Sequence, residues 1–212
     1  IVPSGCNGTG SEGSPADSAE VKAMEDNNLL GAGSTFVYPL FSKMFSEYNN
    51  STGIKVDYQS AGSGNGIPGK AVDFGVTELP LNEEQSAKTG AGILHIPIAC
   101  GADAVSYNLP GFRDTLKLTP ELIANIFLGR MKAWNDPAIA KINPGASLPA
   151  IPIIVIHRSD ECGATFIWTD YLSKISNEWK TRVGRGAVVN WPVGSGGKGN
   201  EGVSGLVKQT PG

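Results

Sequence analysis

The spacing of apolar residues along this chain switches repeatedly between a period of two and one of about 3.6, the signatures of strand and helix. Asn28–Gly33 reads as a short strand running into a Gly-flanked loop. Phe36, Leu40, Met44, Phe45 and Tyr48 then share one helical face, with Gly53 as the stop. Ile54–Tyr58 alternates as a strand, and Ala71–Val76 and Ile93–Ala99 read as further short strands. Asp103–Leu109 alternates again and ends at Pro110-Gly111. Thr119-Pro120-Glu121 is a helix start, with a capping hydroxyl, a proline in the first turn and then an acid. Leu122, Ile123, Ile126 and Phe127 give that helix its buried face, and Gly129 stops it. The β-branched run Ile151–Ile156 predicts a buried strand. A polar loop with Arg158, Ser159 and Asp160 follows, and Gly163-Ala164-Thr165 leads into an amphipathic stretch bearing Phe166, Ile167, Leu172 and Ile175. The Gly-rich run GSGGKGNEG opens one more helix at about Val203–Gln209. Strands alternating with helices predict an α/β fold with mainly parallel sheet.

Composition narrows the chemistry. A chain of 212 residues with a formal net charge of −3 has no overall basic surface to hold nucleic acid. No apolar run approaches the length of a membrane span. Cysteines at 6, 100 and 162 form no CxxC pair and only two histidines accompany them, so neither a metal site nor a cofactor motif is expected. Cys100 and Cys162 could pair only in an oxidising compartment, and two buried free thiols are the simpler expectation. Residues 1–27 have the Gly/Ser/Asp composition of a flexible tail. Within it Ser4-Gly5-Cys6 resembles the end of a bacterial lipoprotein cleavage box, leaving lipidation of Cys6 and an incidental tail cysteine as open alternatives.

Four strand ends meet small polar loops: Gly31–Phe36, Gly62–Gly66, Thr77–Glu78 and Arg158–Thr165. In open α/β sheets such loops gather where ligands bind. The last places a helix start, with its free amides and positive dipole end, beside one arginine. That is an anion site in outline, although a βα turn with a surface arginine reads the same way in isolation.

The motifs GAGSTF (31–36), YQSAGSGNGI (58–67), VDFGVTELPL (72–81), LTPELIANIFLGRMKAWNDPAIAKINPG (118–145), VIHRSDECGATFIWTDYLSK (155–174) and NWPVGSGGKGNEGVSGLVKQTPG (190–212) occur in one order. Together they resemble the phosphate-binding proteins of bacterial high-affinity phosphate ABC importers. The resemblance implies a two-lobed, type II periplasmic-binding-protein-like α/β fold, a non-catalytic receptor that closes on inorganic phosphate and delivers it to ABC permease subunits in the membrane. It implies a location in the periplasm or on the outer face of the cytoplasmic membrane. Lobe one is expected over 28–98 and lobe two over 99–212, the second better represented, and the C-terminal part of the family fold is missing from this sequence.

Carried over by the same resemblance, Thr35 and Phe36 supply a hydroxyl and amides, and Ser63 a second hydroxyl. Arg158 is the phosphate-binding arginine, Asp160 its acidic partner, Gly163 an amide donor, and Ser34 a supporting residue behind the ligand shell. Glu78 stands where the family has Asp, the acceptor for a phosphate O–H that sulfate lacks. Cys162 replaces a serine, Ala164 a threonine and Glu161 a glycine. Pro68-Gly69, inside Gly66–Lys70, breaks a segment that the family runs as helix.

Besides an interaction or scaffold domain that has lost its ligand, against which Thr35, Ser63, Arg158 and Asp160 argue, two alternatives stand beside the phosphate receptor. One is a receptor for another oxyanion, namely arsenate, sulfate or molybdate, or a weakened phosphate binder. The other is catalysis through Cys162 at a helix start, but a cysteine-dependent phosphatase needs an arginine closing the same loop, and Gly-Ala-Thr-Phe-Ile-Trp follows instead. Each hydrogen bond lost to a charged ligand costs on the order of 1.5–3 kcal/mol. Ala164 and Cys162 therefore predict phosphate binding weakened by orders of magnitude or a drifted anion preference. Isothermal titration with phosphate against sulfate measures this, and tight phosphate binding with complete sulfate rejection would refute it.

Overall fold

The computed structural model describes residues 28–63, 72–87 and 92–212. Cys6 with its tail, and the Gly66–Lys70 segment, lie outside the described residues.

Strand β1 (Asn28–Gly33) lies between β2 (Lys55–Ser60) and β3 (Phe74–Val76) in a parallel sheet of order β2-β1-β3. Parallel neighbours require a crossover, and helix α1 (Tyr38–Thr52) provides it between β1 and β2. The helix carries Pro39 in its first turn and ends where Gly53 turns left-handed (φ 76°) and donates its amide to the Asn49 carbonyl at 2.8 Å. Its buried face sets Phe41 and Phe45 against Tyr58 and Phe74, beside Val37 and Val76, whereas Phe36, Leu40, Met44 and Tyr48, which the spacing puts on one face with Phe45, are exposed.

The register of this sheet fixes where its loops emerge. Gly33 lies level with both Ser60 and Val76, so all three strands end together and their following loops leave side by side. Gly33 is required there: its φ is 140°, and a Cβ would strike the Val76 carbonyl. Its own carbonyl accepts from the amides of Ala61 (3.1 Å) and Gly62 (2.9 Å), which folds the loop after β2 back over the end of β1.

A second parallel pair joins β4 (Ile156–Arg158) to β5 (Ser195–Gly197), with Arg158 level with Gly197. Between them run α5 (Gly163–Ile175) and α6 (Asn177–Arg182), and α7 (Gly199–Gln209) starts two residues after β5 ends. Helices α2 (Glu83–Ala87), α3 (Pro120–Phe127) and α4 (Pro137–Ile142) complete the described elements. As its sequence predicts, α3 begins at Thr119, whose hydroxyl accepts from the Leu122 amide at 3.3 Å. Its core contacts split in two: Leu122 and Ile126 pack with Trp134, Ile139 and Val155, while Ala124 and Leu128 pack with Leu172 and Trp179.

Three expected strands differ. Ile151–Ile156 shortens to an isolated bridge from Pro152 to Ala133, and regular pairing begins only at Ile156. Ile93–Ala99 and Asp103–Leu109 are extended but lie in no described strand. Alternation marks residues that suit a pleated surface, but a ladder also needs a neighbour, and no described strand pairs with either segment. Leu94, Ile96 and Ile98 are accordingly exposed, at 80, 67 and 54%.

Trp179 is the largest fully buried side chain, and its indole N–H donates to the Gly184 carbonyl at 3.0 Å. Trp179→Ala removes that volume and orphans the carbonyl, so it is expected to cost about 3–5 kcal/mol of unfolding free energy, read from chemical denaturation curves.

Candidate functional site

The two sheets present their carboxyl ends to one another through short loops, and those loops hold every singled-out residue within the described chain. From the first sheet come Ser34-Thr35-Phe36 after β1, Gly62-Ser63 after β2, and Glu78 after β3. From the second come Arg158 at the end of β4, Asp160 beyond it, and the start of α5.

Arg158 is buried, and Asp160 grips it from one side. Its Nε and Nη2 donate to the two carboxylate oxygens of Asp160 at 2.8 and 2.5 Å, a bidentate fork. Nη1 donates to the Asn200 side-chain oxygen at 3.1 Å. Asp160 also accepts from the Gly199 amide at 3.0 Å, and it lies against Gly62, where a Cβ would sit 2.9 Å from its Oδ2. The Asn200 amide donates to the Thr35 hydroxyl oxygen at 3.3 Å. One continuous network thus runs from the loop after β1, through the start of α7, to the arginine.

Glu78 anchors a second network. Its Oε1 accepts from the Ser34 hydroxyl, while its Oε2 accepts from the Ser63 hydroxyl and, at 3.3 Å, from the Gly163 amide. Ser34 Oγ in turn accepts from the Phe36 amide at 3.0 Å, and the Ser34 carbonyl accepts from the Tyr58 hydroxyl at 2.8 Å. The Phe36 ring lies over Gly101, so close that a side chain there would collide with it.

Cys162 faces inward. Its sulfur accepts from the Thr165 amide at 3.4 Å and lies 3.1 Å from the Thr165 hydroxyl, capping α5. Burial pushes its thiol up, outweighing the hydrogen bonds from Thr165 that pull the other way. Ala164 is half-buried in the first turn of α5, where backbone amides have no intrahelical acceptor. The thiols of Cys100 and Cys162 are both free, the first exposed and the second buried.

The charges of the site act on one another. Burial alone would raise the Asp160 carboxyl, but the hydrogen bonds from Arg158 and from the Gly199 amide more than offset it and hold the group below its ordinary value. Burial also works against the Arg158 charge, and Asp160 restores it. Asp103 is pushed up by partial desolvation and by the Glu78 carboxylate, against the pull of Arg158. Burial and then Glu78 raise the Tyr58 phenol as well. One guanidinium therefore faces three carboxylates, and the local positive charge is nearly spent within the protein.

Asn200, Gly199 and Asp103 are the participants that sequence reasoning missed. The first two sit in a Gly-rich helix start, the one signal that pointed toward them. Nothing local marks Asp103. A cavity of about 170 Å³ opens beside the first network, lined by Thr35, Ser60, Asp160, Lys198 and Gly199 among others. The Ser60 hydroxyl is buried there without a hydrogen-bond partner. Among the described residues no cluster of His, Cys, Asp and Glu is arranged to hold a metal.

Comparison with known proteins bears on this arrangement. The model of the PBP superfamily domain matches residues 11–211. The phosphate-binding protein PstS of Pasteurella multocida is 50% identical over 185 residues, which is 85% of this chain and 53% of that protein. PstS of Xylella fastidiosa strain 9a5c is 43% identical over 212 residues, 98% of this chain and 57% of that protein. PstS of Methanocaldococcus jannaschii is 43% identical over 84% of this chain and 50% of its own length. The chain thus spans about half the length of the curated relatives it matches. Among solved structures, a phosphate ABC transporter substrate-binding protein of Clostridium perfringens with bound phosphate superposes with a TM-score of 0.56. It covers 86% of this chain and 67% of its own, and at 16% identity the likeness is one of fold.

Because Asp160 titrates lower in the folded chain than its ordinary 3.8, its ionised form favours folding. That stabilisation is fully present above about pH 4 and is lost as pH falls through the lowered folded value. Asp160→Asn is expected to flatten this part of the acid limb, measured as unfolding free energy against pH.

Proposed function

The chain belongs to the PBP superfamily, and from that premise we propose that it is the anion-binding part of an extracytoplasmic receptor that takes up inorganic phosphate for an ABC importer. The observation that carries the reading is the convergence of Thr35, Ser63, Arg158 and Gly163 from four separate turns onto one region of the fold. A phosphate stripped of water needs many short donors and a planar cation that binds two oxygens at once. Hydroxyls of Ser34, Thr35 and Ser63, amides at Phe36, Gly163 and Ala164, and the guanidinium of Arg158 are donors of that kind. Asp160 and Asn200 each hold part of the guanidinium, which fixes its plane, and its remaining N–H groups of the five are those an anion takes.

Carboxylates outnumber the guanidinium at the site, so selection falls to hydrogen bonding rather than to net charge. Glu78 supplies the acceptor that tells a protonated phosphate from sulfate, which has no proton to donate. Residues 28–98 and 99–212 would form two lobes that close on the anion by a hinge. The permease subunits in the membrane are the partner, and Cys6 the candidate lipid anchor. Among the described residues no helix is long and apolar enough to cross a membrane.

The altered donor set favours one competing version of this reading, a receptor tuned to another oxyanion: Ala164 offers no hydroxyl and the Cys162 sulfur is engaged by Thr165. Nucleophilic catalysis by Cys162 has less support, because burial keeps its thiol protonated at neutral pH.

Arg158→Ala is expected to weaken phosphate binding by about ten- to a hundredfold for each charge-assisted hydrogen bond removed. Arg158→Lys should recover only part of the loss, since an ammonium lacks the fork. Isothermal titration with inorganic phosphate reads both.

A further inference from the structure

The geometry assigns a second role to Glu78: its carboxylate is an internal ligand that occupies the receptor's own anion donors and competes with the anion for them. This rests on the proposed reading of the site as an anion receptor and specifies how that site is regulated.

Three features support it. First, the two carboxylate oxygens are held by the Ser34 hydroxyl, the Ser63 hydroxyl and the Gly163 amide. These donors come from three separate turns, after β1, after β2 and at the start of α5, and they are of the type an oxyanion takes. Second, the side chain is pressed into the helix start: a Cβ on Gly163 would lie 2.5 Å from Glu78 Cβ and 2.9 Å from its Oε2. Only a residue without a side chain leaves room for the carboxylate at that amide. Third, Glu78 shares its field with Arg158, Asp103 and Tyr58, so its charge already faces the guanidinium that an anion would meet.

A carboxylate in this position affects an entering anion twice. It engages donors that the anion needs, and it repels the anion's charge at short range. Binding therefore requires Glu78 to swing away from Ser63 and Gly163, after which it remains within reach as acceptor for a protonated oxygen. The extra methylene of Glu is what permits this. An Asp rooted at the same backbone position is shorter by one carbon–carbon bond, which sets its oxygens back from the Ser34, Ser63 and Gly163 donors that Glu78 engages. The fold thus carries its own competitor, and affinity is set by how readily that competitor is displaced.

The test is isothermal titration of the chain and two variants with inorganic phosphate and with sulfate at neutral pH. Glu78→Asp keeps an acceptor but withdraws the carboxylate from Gly163, and should bind phosphate about tenfold or more tightly than the natural chain, the equivalent of one hydrogen bond to a charged group. Glu78→Ala vacates all three donors and should bind sulfate about tenfold or more tightly than the natural chain does. Phosphate binding by Glu78→Asp where the natural chain binds none also supports the competitor. If the natural chain binds phosphate while Glu78→Asp is no tighter, Glu78 is an acceptor only and the competitor role is overturned; if Glu78→Ala binds sulfate no better than the natural chain, the carboxylate neither blocks the donors nor rejects sulfate, and the competitor role is overturned as well. If neither the natural chain nor either variant binds any anion, the receptor reading falls as well.

Discussion

The fork between Arg158 and Asp160 is the contact on which the rest of the site depends. A buried guanidinium is stable only with a partner that satisfies it, and Asp160 does so with both oxygens. The same carboxylate takes the Gly199 amide and packs on Gly62, so it also fixes the start of α7 and the loop after β2. Through Asn200 the arginine is tied to Thr35, which belongs to the other sheet. Removing the acid would leave a desolvated cation with only the neutral Asn200 oxygen as partner and would free the Gly199 amide and the loop at Gly62 from their common anchor. The Arg158 charge is thus the structural tie between the two sheets.

Parallel register supplies the other half of the explanation. Side-by-side strand ends place their following loops within hydrogen-bonding distance, and Gly33 level with Ser60 and Val76 brings Ser34, Ser63 and Glu78 together. Arg158 level with Gly197 does the same for Asp160 and Gly199. Side chains far apart in the chain meet because sheet pairing aligns the ends of the strands that carry them. A shift of one residue in β1 would put Ala32 or Ser34, each with a Cβ, where Gly33 sits at φ 140° against the Val76 carbonyl.

Local signals were legible wherever they could be satisfied locally. The Thr119 cap, Pro120 in the first turn, the Gly53 stop and the start of α5 at Gly163 need only neighbours a few residues away, and each is found where its residues predict it. The segments at 93–99 and 103–109 carry equally good alternation but depend on a partner strand, and alternation does not encode one. The same division holds in the site. Arg158, Asp160 and Ser63 stand in motifs that mark them. Asp103 does not, because its influence on Glu78 and Arg158 arises from distant chain segments coming close. Ser34, expected behind the ligand shell, bonds directly to Glu78, a position decided by the length of one side chain rather than by any motif.

Under the anion-receptor reading proposed above, a site surrounded by acids looks contradictory only if attraction is taken as the sole requirement. With one guanidinium already shared between Asp160 and the field of Glu78, a dianion gains little from net charge and must be held by donor geometry. Hydrogen-bond donors discriminate by where protons sit, and acceptors such as Glu78 discriminate by whether the ligand has a proton to give. Excess positive charge would bind every oxyanion alike. A site whose carboxylates outnumber its guanidinium sacrifices affinity from Coulomb attraction and gains the ability to reject a ligand that leaves a buried carboxylate facing lone pairs. Glu78 sharpens this balance, because the group that performs the rejection also holds the donors until a ligand able to replace it arrives.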